Sequence, residues 1–541
     1  MNQQWWHRAQ KSVAQGALTN SKHPKMLIQG AYPTHVSHGI GSYLYDTDGK
    51  KYLDYICGLG VNLFGYGNDK INKELMKHIY GGFSHSLPTK HEVEAAEALK
   101  EIFCFVDRWK FLKTGSDACS AAIKIARNQW GVRDGNEKMH EMWYREIFKR
   151  ISSSVEKNWD AQKRLQDVHK SISKDAGSYG DQEVSTEEIF SDRKGTVNGS
   201  KIQSDSSKES GGIWEKPSLL QIEDGIEEWG FNKKTLREMW HNELASSPSR
   251  LLETAGRDVA LSLSSRSRAR FLILSDGYHG HHDSFVGLTS PHCGVPLQAG
   301  ILPLTGNEDL IAIAAAVIIE PVMTDHSPER IDYLNQLRKK CTDMGAMLIF
   351  DEVITGFRFK KFGVSNYTGI IPDLIVIGKA MANGLPLSAV GGKAAVMDDP
   401  GYFISSTYAG EVFSLAACRK VCELLLKDSD YNIDYLWKSG QDFIDAFNQQ
   451  PTDVKLAGYP SRGVFTGSDE NIAIFMQEMA RSEILFCKSF FYNFGHISHN
   501  HDVLAIALEI KERIADGSAK LKFPMPQSPF SMGVRNGNSK G

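Results

Sequence analysis

Ala346-Met347-Leu348-Ile349-Phe350-Asp351-Glu352 and Asp373-Leu374-Ile375-Val376-Ile377-Gly378-Lys379 are two short apolar runs, each closed by residues that can do chemistry. Runs of this length without polar alternation read as strands buried on both faces. In an open α/β sheet the carboxyl ends of such strands border the ligand crevice, so Asp351 and Lys379 are expected to face one site. Lys379 also opens the small-residue turn Ala380-Met381-Ala382-Asn383-Gly384. An amine held partly out of water there disfavours its charged form and becomes a nucleophile towards aldehydes. A Lys for a Schiff base and an Asp for a pyridinium nitrogen are a protein's two main electronic handles on pyridoxal phosphate. Either residue alone reads more readily as a surface Lys or a helix N-cap Asp; the pair is what points to a site.

Working outward, Phe271–Leu274 and Ala315–Ile319 repeat the buried-strand pattern, with helices between. Ser327-Pro328-Glu329 starts one helix, running to about Asp343, with Ser as N-cap and Pro in the first turn. This predicts an α/β protein whose mostly parallel sheet is covered by helices on both faces. Nearer the N-terminus, Gly39 to Tyr55 reads as two strands joined at Asp48-Gly49, a strong hairpin signal. The stretch 134–267 breaks the βα pattern. Its middle, Ser171 to Gly212, is too polar to bury a core and reads as the disordered centre of an insertion with helical patches.

At 541 residues the chain can hold two or more domains. Its net charge of -3 offers no electrostatic footprint for nucleic acid or an anionic membrane. The N-terminus lacks the apolar core of a signal peptide, and no apolar run approaches a membrane span. Eight scattered cysteines without a CxxC pair read as small core residues of a reduced, cytoplasmic protein.

Two further segments carry chemistry. Lys113-Thr114-Gly115-Ser116-Asp117-Ala118 follows the strand Trp109–Leu112 and opens a helix, whose free N–H groups and positive end attract phosphate. Gly277-Tyr278-His279-Gly280 ends another strand, and an aromatic between glycines there can stack on a flat heteroaromatic ring. His279, His281, His282 and Asp283 match no metal motif well, so no metal is expected.

Taken in order, these segments resemble the class III aminotransferases of fold type I, which are pyridoxal 5'-phosphate enzymes. The matching pieces are Asp46-Thr47-Asp48-Gly49, Thr114-Gly115-Ser116-Asp117-Ala118 and Gly277-Tyr278-His279-Gly280-His281-His282-Asp283. They continue with Glu320-Pro321-Val322, Leu348 to Arg358, Gly378-Lys379-Ala380 and Ser406-Thr407-Tyr408. The resemblance covers roughly 25–130 and 270–515, and it looks nearest to the glutamate-1-semialdehyde 2,1-aminomutase group. It implies that Lys379 forms the Schiff base and moves protons, and that Asp351 pairs with the ring nitrogen. Val353 and Tyr278 would cover the two ring faces, and Gly115 and Ser116 would hold the phosphate. Thr407 would reach that phosphate from a neighbouring subunit, which implies a homodimer with shared active sites. Glu320 and Arg462 are candidate substrate contacts.

Where an aminomutase is expected to carry an early Arg for the substrate carboxylate, this chain offers Lys25, a poorer bidentate partner. Three functions stay open: amino transfer between an amino donor and an aldehyde or ketone, intramolecular aminomutase activity, or a catalytically idle scaffold. The implied organisation places 1–60 in a small domain and 61–133 with 268–395 in the large cofactor domain. The insertion is 134–267, the remainder of the large domain and the C-terminal small domain fill 396–524, and 525–541 is a flexible tail.

Overall fold

The computed structural model describes residues 2–130, 270, 272–282, 285 and 300–527. The expected insertion 134–267, Asp283 and the tail from 528 onward lie outside the described residues.

The central sheet has seven strands: β1 (Arg108–Leu112), β2 (Leu272–Asp276), β3 (Ile301–Pro303), β4 (Ala314–Ile319), β5 (Met347–Glu352), β6 (Leu374–Ile377) and β7 (Ser388–Gly392). Their spatial order is β1-β7-β6-β5-β4-β2-β3. Neighbours from β6 through β3 pair in parallel, while β7 runs antiparallel to both β6 and β1. The expected mostly parallel sheet is therefore present. Every residue of β4, β5 and β6 is buried, as continuous apolar strands covered on both faces require.

β7 and β3 carry no signal in the sequence reading. β7 is Ser-Ala-Val-Gly-Gly, and its glycines are there for space. A Cβ on Gly391 would lie 2.5 Å from the Trp109 ring, and one on Gly392 would lie 2.8 Å from Leu374. β3 has only three residues, too few for a pattern.

Helix α1 (Gly115–Gln129) packs on the sheet through Ala118, Cys119, Ala121, Ala122, Ile125 and Ala126. Small residues on that face let the helix axis approach the strands closely. Thr114 caps it reciprocally: Asp117 N–H donates to Thr114 Oγ1 (3.1 Å) and Thr114 N–H donates to Asp117 Oδ2 (3.0 Å). Helix α2 (Pro328–Met344) starts at Ser327, whose Oγ accepts from Arg330 N–H at 3.3 Å, and stops at left-handed Gly345. Among the described residues no helix is long and apolar enough to cross a membrane.

The N-terminal hairpin pairs Tyr43–Asp46 with Lys51–Asp54. Its turn is organised by Asp46, whose Oδ1 accepts from the N–H groups of Asp48 and Lys50, with Gly49 left-handed. A third strand, Val36–Ile40, pairs with Tyr43–Asp46. The C-terminal part joins this sheet where Ile484–Leu485 runs parallel to Leu53–Asp54. A separate three-stranded sheet holds Lys455–Tyr459, Arg462–Thr466 and Ser489–Phe491. Buried Arg358 ties these parts together: Nε donates to the Gly60 carbonyl and Nη1 to that of Tyr492, both at 2.9 Å.

Candidate active site

Register fixes where the two chemical residues fall. Asp351 lies opposite Val376 and Glu352 opposite Ile377, so Lys379 follows two residues past the last pair, on the strand next to Asp351. The chain turns sharply there. Lys379 has φ of 44° and Asn383 of 45°, so the turn Lys379–Ala382 is bracketed by left-handed residues. For a lysine this conformation is uncommon, and such strain persists where surrounding contacts over-determine it. Asn383 supplies them: its Oδ1 accepts from Phe64 N–H at 2.9 Å and its Nδ2 donates to the Gly65 carbonyl at 3.0 Å. Burial lowers the Lys379 pKa against the pull of Asp351 and Glu320, and the Arg462 charge adds to the lowering.

Asp351 is 5% exposed and richly bonded. Its Oδ1 accepts from Val353 N–H (3.0 Å). Its Oδ2 meets His279 Nδ1 at 2.7 Å and Cys119 Sγ at 3.3 Å. His279 Nε2 lies 3.1 Å from the Asp276 carbonyl, an acceptor only, so Nε2 carries a proton. A second proton on Nδ1 then makes the imidazolium that a carboxylate prefers. Burial alone would lower the His279 pKa, but the hydrogen bond and charge of Asp351, with Glu320 behind it, outweigh burial and raise it. The ligand-type atoms of Cys119, His279 and Asp351 lie within 4.8 Å of one another, a set that could hold a metal ion. Here they are spent on each other.

At the start of α1, the N–H groups of Gly115 and Ser116 make no recorded hydrogen bond among the described residues, as expected for the first turn of a helix. A Cβ on Gly115 would stand 3.1 Å from Val353, so the helix start lies against that side chain. Ser116 Oγ accepts from His281 N–H and lies 3.1 Å from His281 Nδ1, so its hydroxyl is committed to that loop. Gly280 (φ 114°) runs so close that a Cβ there would sit 2.2 Å from Ser116 Oγ.

Tyr278 follows β2 and is 43% exposed; its N–H donates to Glu320 Oε1 at 2.7 Å. Glu320 therefore anchors the Tyr278 loop. Burial and the Asp351 charge raise the Glu320 pKa against that bond and the charges of His279 and Arg462. Arg462 donates through Nε to Ser489 Oγ (3.2 Å) and through Nη1 to the Met323 carbonyl. Its charge reaches both Lys379 and Glu320. Thr407 is exposed on a turn. Lys25 is exposed too, with its carbonyl bonded by Gln527 N–H.

The structure thus gathers Gly115, Ser116, Tyr278, Glu320, Asp351, Val353, Lys379 and Arg462, while Thr407 and Lys25 are exposed. Sequence reasoning missed three participants. His279 was visible only as one of several loop histidines, Cys119 only as one of eight scattered core cysteines, and Asn383 only as part of a turn.

Comparison with known proteins matches residues 28–156 and 304–469 to a family model described as aminotransferase class-III. The chain is 25% identical over 427 residues to a glutamate-1-semialdehyde 2,1-aminomutase of Desulfotalea psychrophila, covering 78% of this chain and 72% of that protein. In fold it is similar to the PLP internal aldimine form of the FumI protein of Sphingopyxis sp. MTA144, with a TM-score of 0.65, 17% identity, and coverage of 97% and 99% of the two chains. An omega-transaminase from Sphaerobacter thermophilus gives 0.60 at 17% identity, covering 94% and 98%.

Proposed function

Because the chain belongs to the class-III aminotransferases, we propose that it moves an amino group between an amino donor and an aldehyde or ketone, with pyridoxal 5'-phosphate as cofactor. The observation that carries this reading is the meeting, at adjacent strand ends, of a desolvated amine on Lys379 with a buried carboxylate on Asp351. The residues present fit the cofactor. Asp351 keeps an acceptor position on Oδ1, the first N–H groups of α1 are open to a phosphate, and the glycines of the wall leave no room for side chains.

Gly115 and Ser116 would hold the phosphate through their N–H groups, Asp351 the ring nitrogen, and Val353 and Tyr278 the ring faces. When bound, the cofactor supplies an electron sink for the charge left as a proton departs from the substrate carbon. Lys379 Nζ, whose charged form burial disfavours, accepts that proton and returns it to the neighbouring position. His279, 2.7 Å from Asp351 Oδ2 through Nδ1, fixes that carboxylate in orientation. Arg462, whose charge acts on both Lys379 and Glu320, would take a substrate carboxylate beside Glu320.

Transfer between two substrates is favoured over the intramolecular aminomutase reaction because exposed Lys25 does not supply the missing Arg. A homodimer with Thr407 reaching the partner's phosphate is supported by the exposure of Thr407 beside exposed Phe403 and Tyr408. A cytoplasmic location rests on the scattered cysteines. The test incubates the enzyme with pyridoxal phosphate and a panel of amines without keto acid. Conversion of the cofactor to its pyridoxamine form supports transfer and names the donors; no conversion by any amine, with turnover of glutamate-1-semialdehyde, supports the aminomutase.

A further inference from the structure

Asp351 offers its two carboxylate oxygens unequally. A carboxylate has about four acceptor positions, two on each oxygen. Both positions of Oδ2 are taken, one by His279 Nδ1 at 2.7 Å and one by the Cys119 thiol at 3.3 Å. Oδ1 accepts only from Val353 N–H at 3.0 Å and keeps one position without a recorded partner among the described residues.

Resting on the assignment of Asp351 to the ring nitrogen, we propose that Cys119 is a positioning residue for that carboxylate. Its thiol occupies the second position of Oδ2, so that Oδ1 alone is left to meet the cofactor's ring N–H. The helix provides the placement. Cys119 follows Gly115 by four residues, so α1 opens at the phosphate end of the site and presents the thiol one turn later, about 6 Å along its axis. The side chain is 1% exposed and belongs to the same buried core cluster as Ala118, Ala122, Val353 and Val376. Burial and the neighbouring Asp351 charge push the thiol pKa well up, so it stays an S–H donor and never competes as a second anion.

A residue that only filled space would serve as well as valine. A donor does two further things. It stops the carboxylate rotating to offer Oδ2, and it withdraws part of the negative charge felt by the ring nitrogen. Losing the donor should therefore hold the ring proton more tightly.

The test has an arm without cofactor. Infrared difference spectra of cofactor-free wild type against Cys119→Val should reveal one hydrogen-bonded, red-shifted S–H band, which moves towards the free position in Asp351→Asn. In the loaded protein, Cys119→Val and Cys119→Ala should both raise the pH at which the ring nitrogen titrates, read from cofactor absorbance. The shift should be on the order of half a unit, as suits one weak S–H bond. Cys119→Ser, which restores a donor, should recover part of it. An unshifted S–H band, or one indifferent to Asp351→Asn, would overturn the proposal. So would titrations that move for Ala alone, since that marks lost packing. Protein that takes up no pyridoxal phosphate while showing the expected S–H band would instead overturn the functional reading, and the proposed role with it.

Discussion

Replacing Asp351 by Asn keeps the shape of the side chain and inverts its chemistry on one side. The amide oxygen can still accept from Val353 N–H, as Oδ1 does at 3.0 Å. The amide nitrogen then faces His279 Nδ1, where the carboxylate accepted at 2.7 Å. His279 cannot turn its other nitrogen inward, because Nε2 is committed to the Asp276 carbonyl. The imidazole must therefore shed its Nδ1 proton and accept instead. The exchange of a charge-assisted bond for a neutral one in a buried site costs roughly 1.5–3 kcal/mol of stability.

The pH dependence of that cost has a definite sign. The folded-state pKa of His279 is raised, so its contribution is fully present below the ordinary histidine value and is lost as pH rises through the raised value. Thermal unfolding of wild type and Asp351→Asn should thus differ most below the ordinary histidine value and converge as pH rises above it. Turnover should fall by on the order of 10²-fold or more, about 2.7 kcal/mol of barrier, because the ring nitrogen loses its ionic partner. Both are readable on one preparation. A stability gap that is flat with pH, or near-normal turnover, would refute the paired roles of Asp351 and His279.

Asn383→Ala removes the acceptor of Phe64 N–H and the donor to Gly65, and puts Ala in a left-handed conformation. Together these should cost about 3 kcal/mol, measured as a lower unfolding midpoint, with turnover reduced as Lys379 loses its bracket. Asp54 is fully buried, and burial raises its pKa to about 6. A raised carboxylate favours the fold at pH below its unfolded value near 4, and that gain is lost as pH rises through 6. Wild-type stability relative to Asp54→Asn should therefore improve from pH 7 to pH 4.5 in denaturant titrations; the opposite trend would contradict the buried setting.

The parallel strands were legible because β4, β5 and β6 are apolar runs that nothing but double-sided burial explains. Lys379 and Asp351 were legible because each closes such a run. β7 was not, since Gly391 and Gly392 imitate a turn when the Trp109 ring that forbids a side chain is unseen. The partners of Asp351 were hidden for a different reason. His279 is 72 residues away and Cys119 is 232 away, and neither local pattern hints at a carboxylate. Arg462 was a candidate on its residue type alone; its hydrogen bond to Ser489 comes with the pairing of Arg462–Thr466 and Ser489–Phe491, which no local motif encodes. The hydrogen bond of the Ser116 hydroxyl to His281, across a close approach that Gly280 permits, was likewise invisible in either local stretch.

Borohydride reduction shows whether Lys379 is the amine that engages the cofactor. Protein loaded with pyridoxal phosphate, reduced and digested, is mapped by mass spectrometry. One phosphopyridoxyl adduct is expected, on the peptide carrying Lys379, and none in Lys379→Ala. An adduct on another lysine in wild type, or the same yield after that substitution, would contradict it.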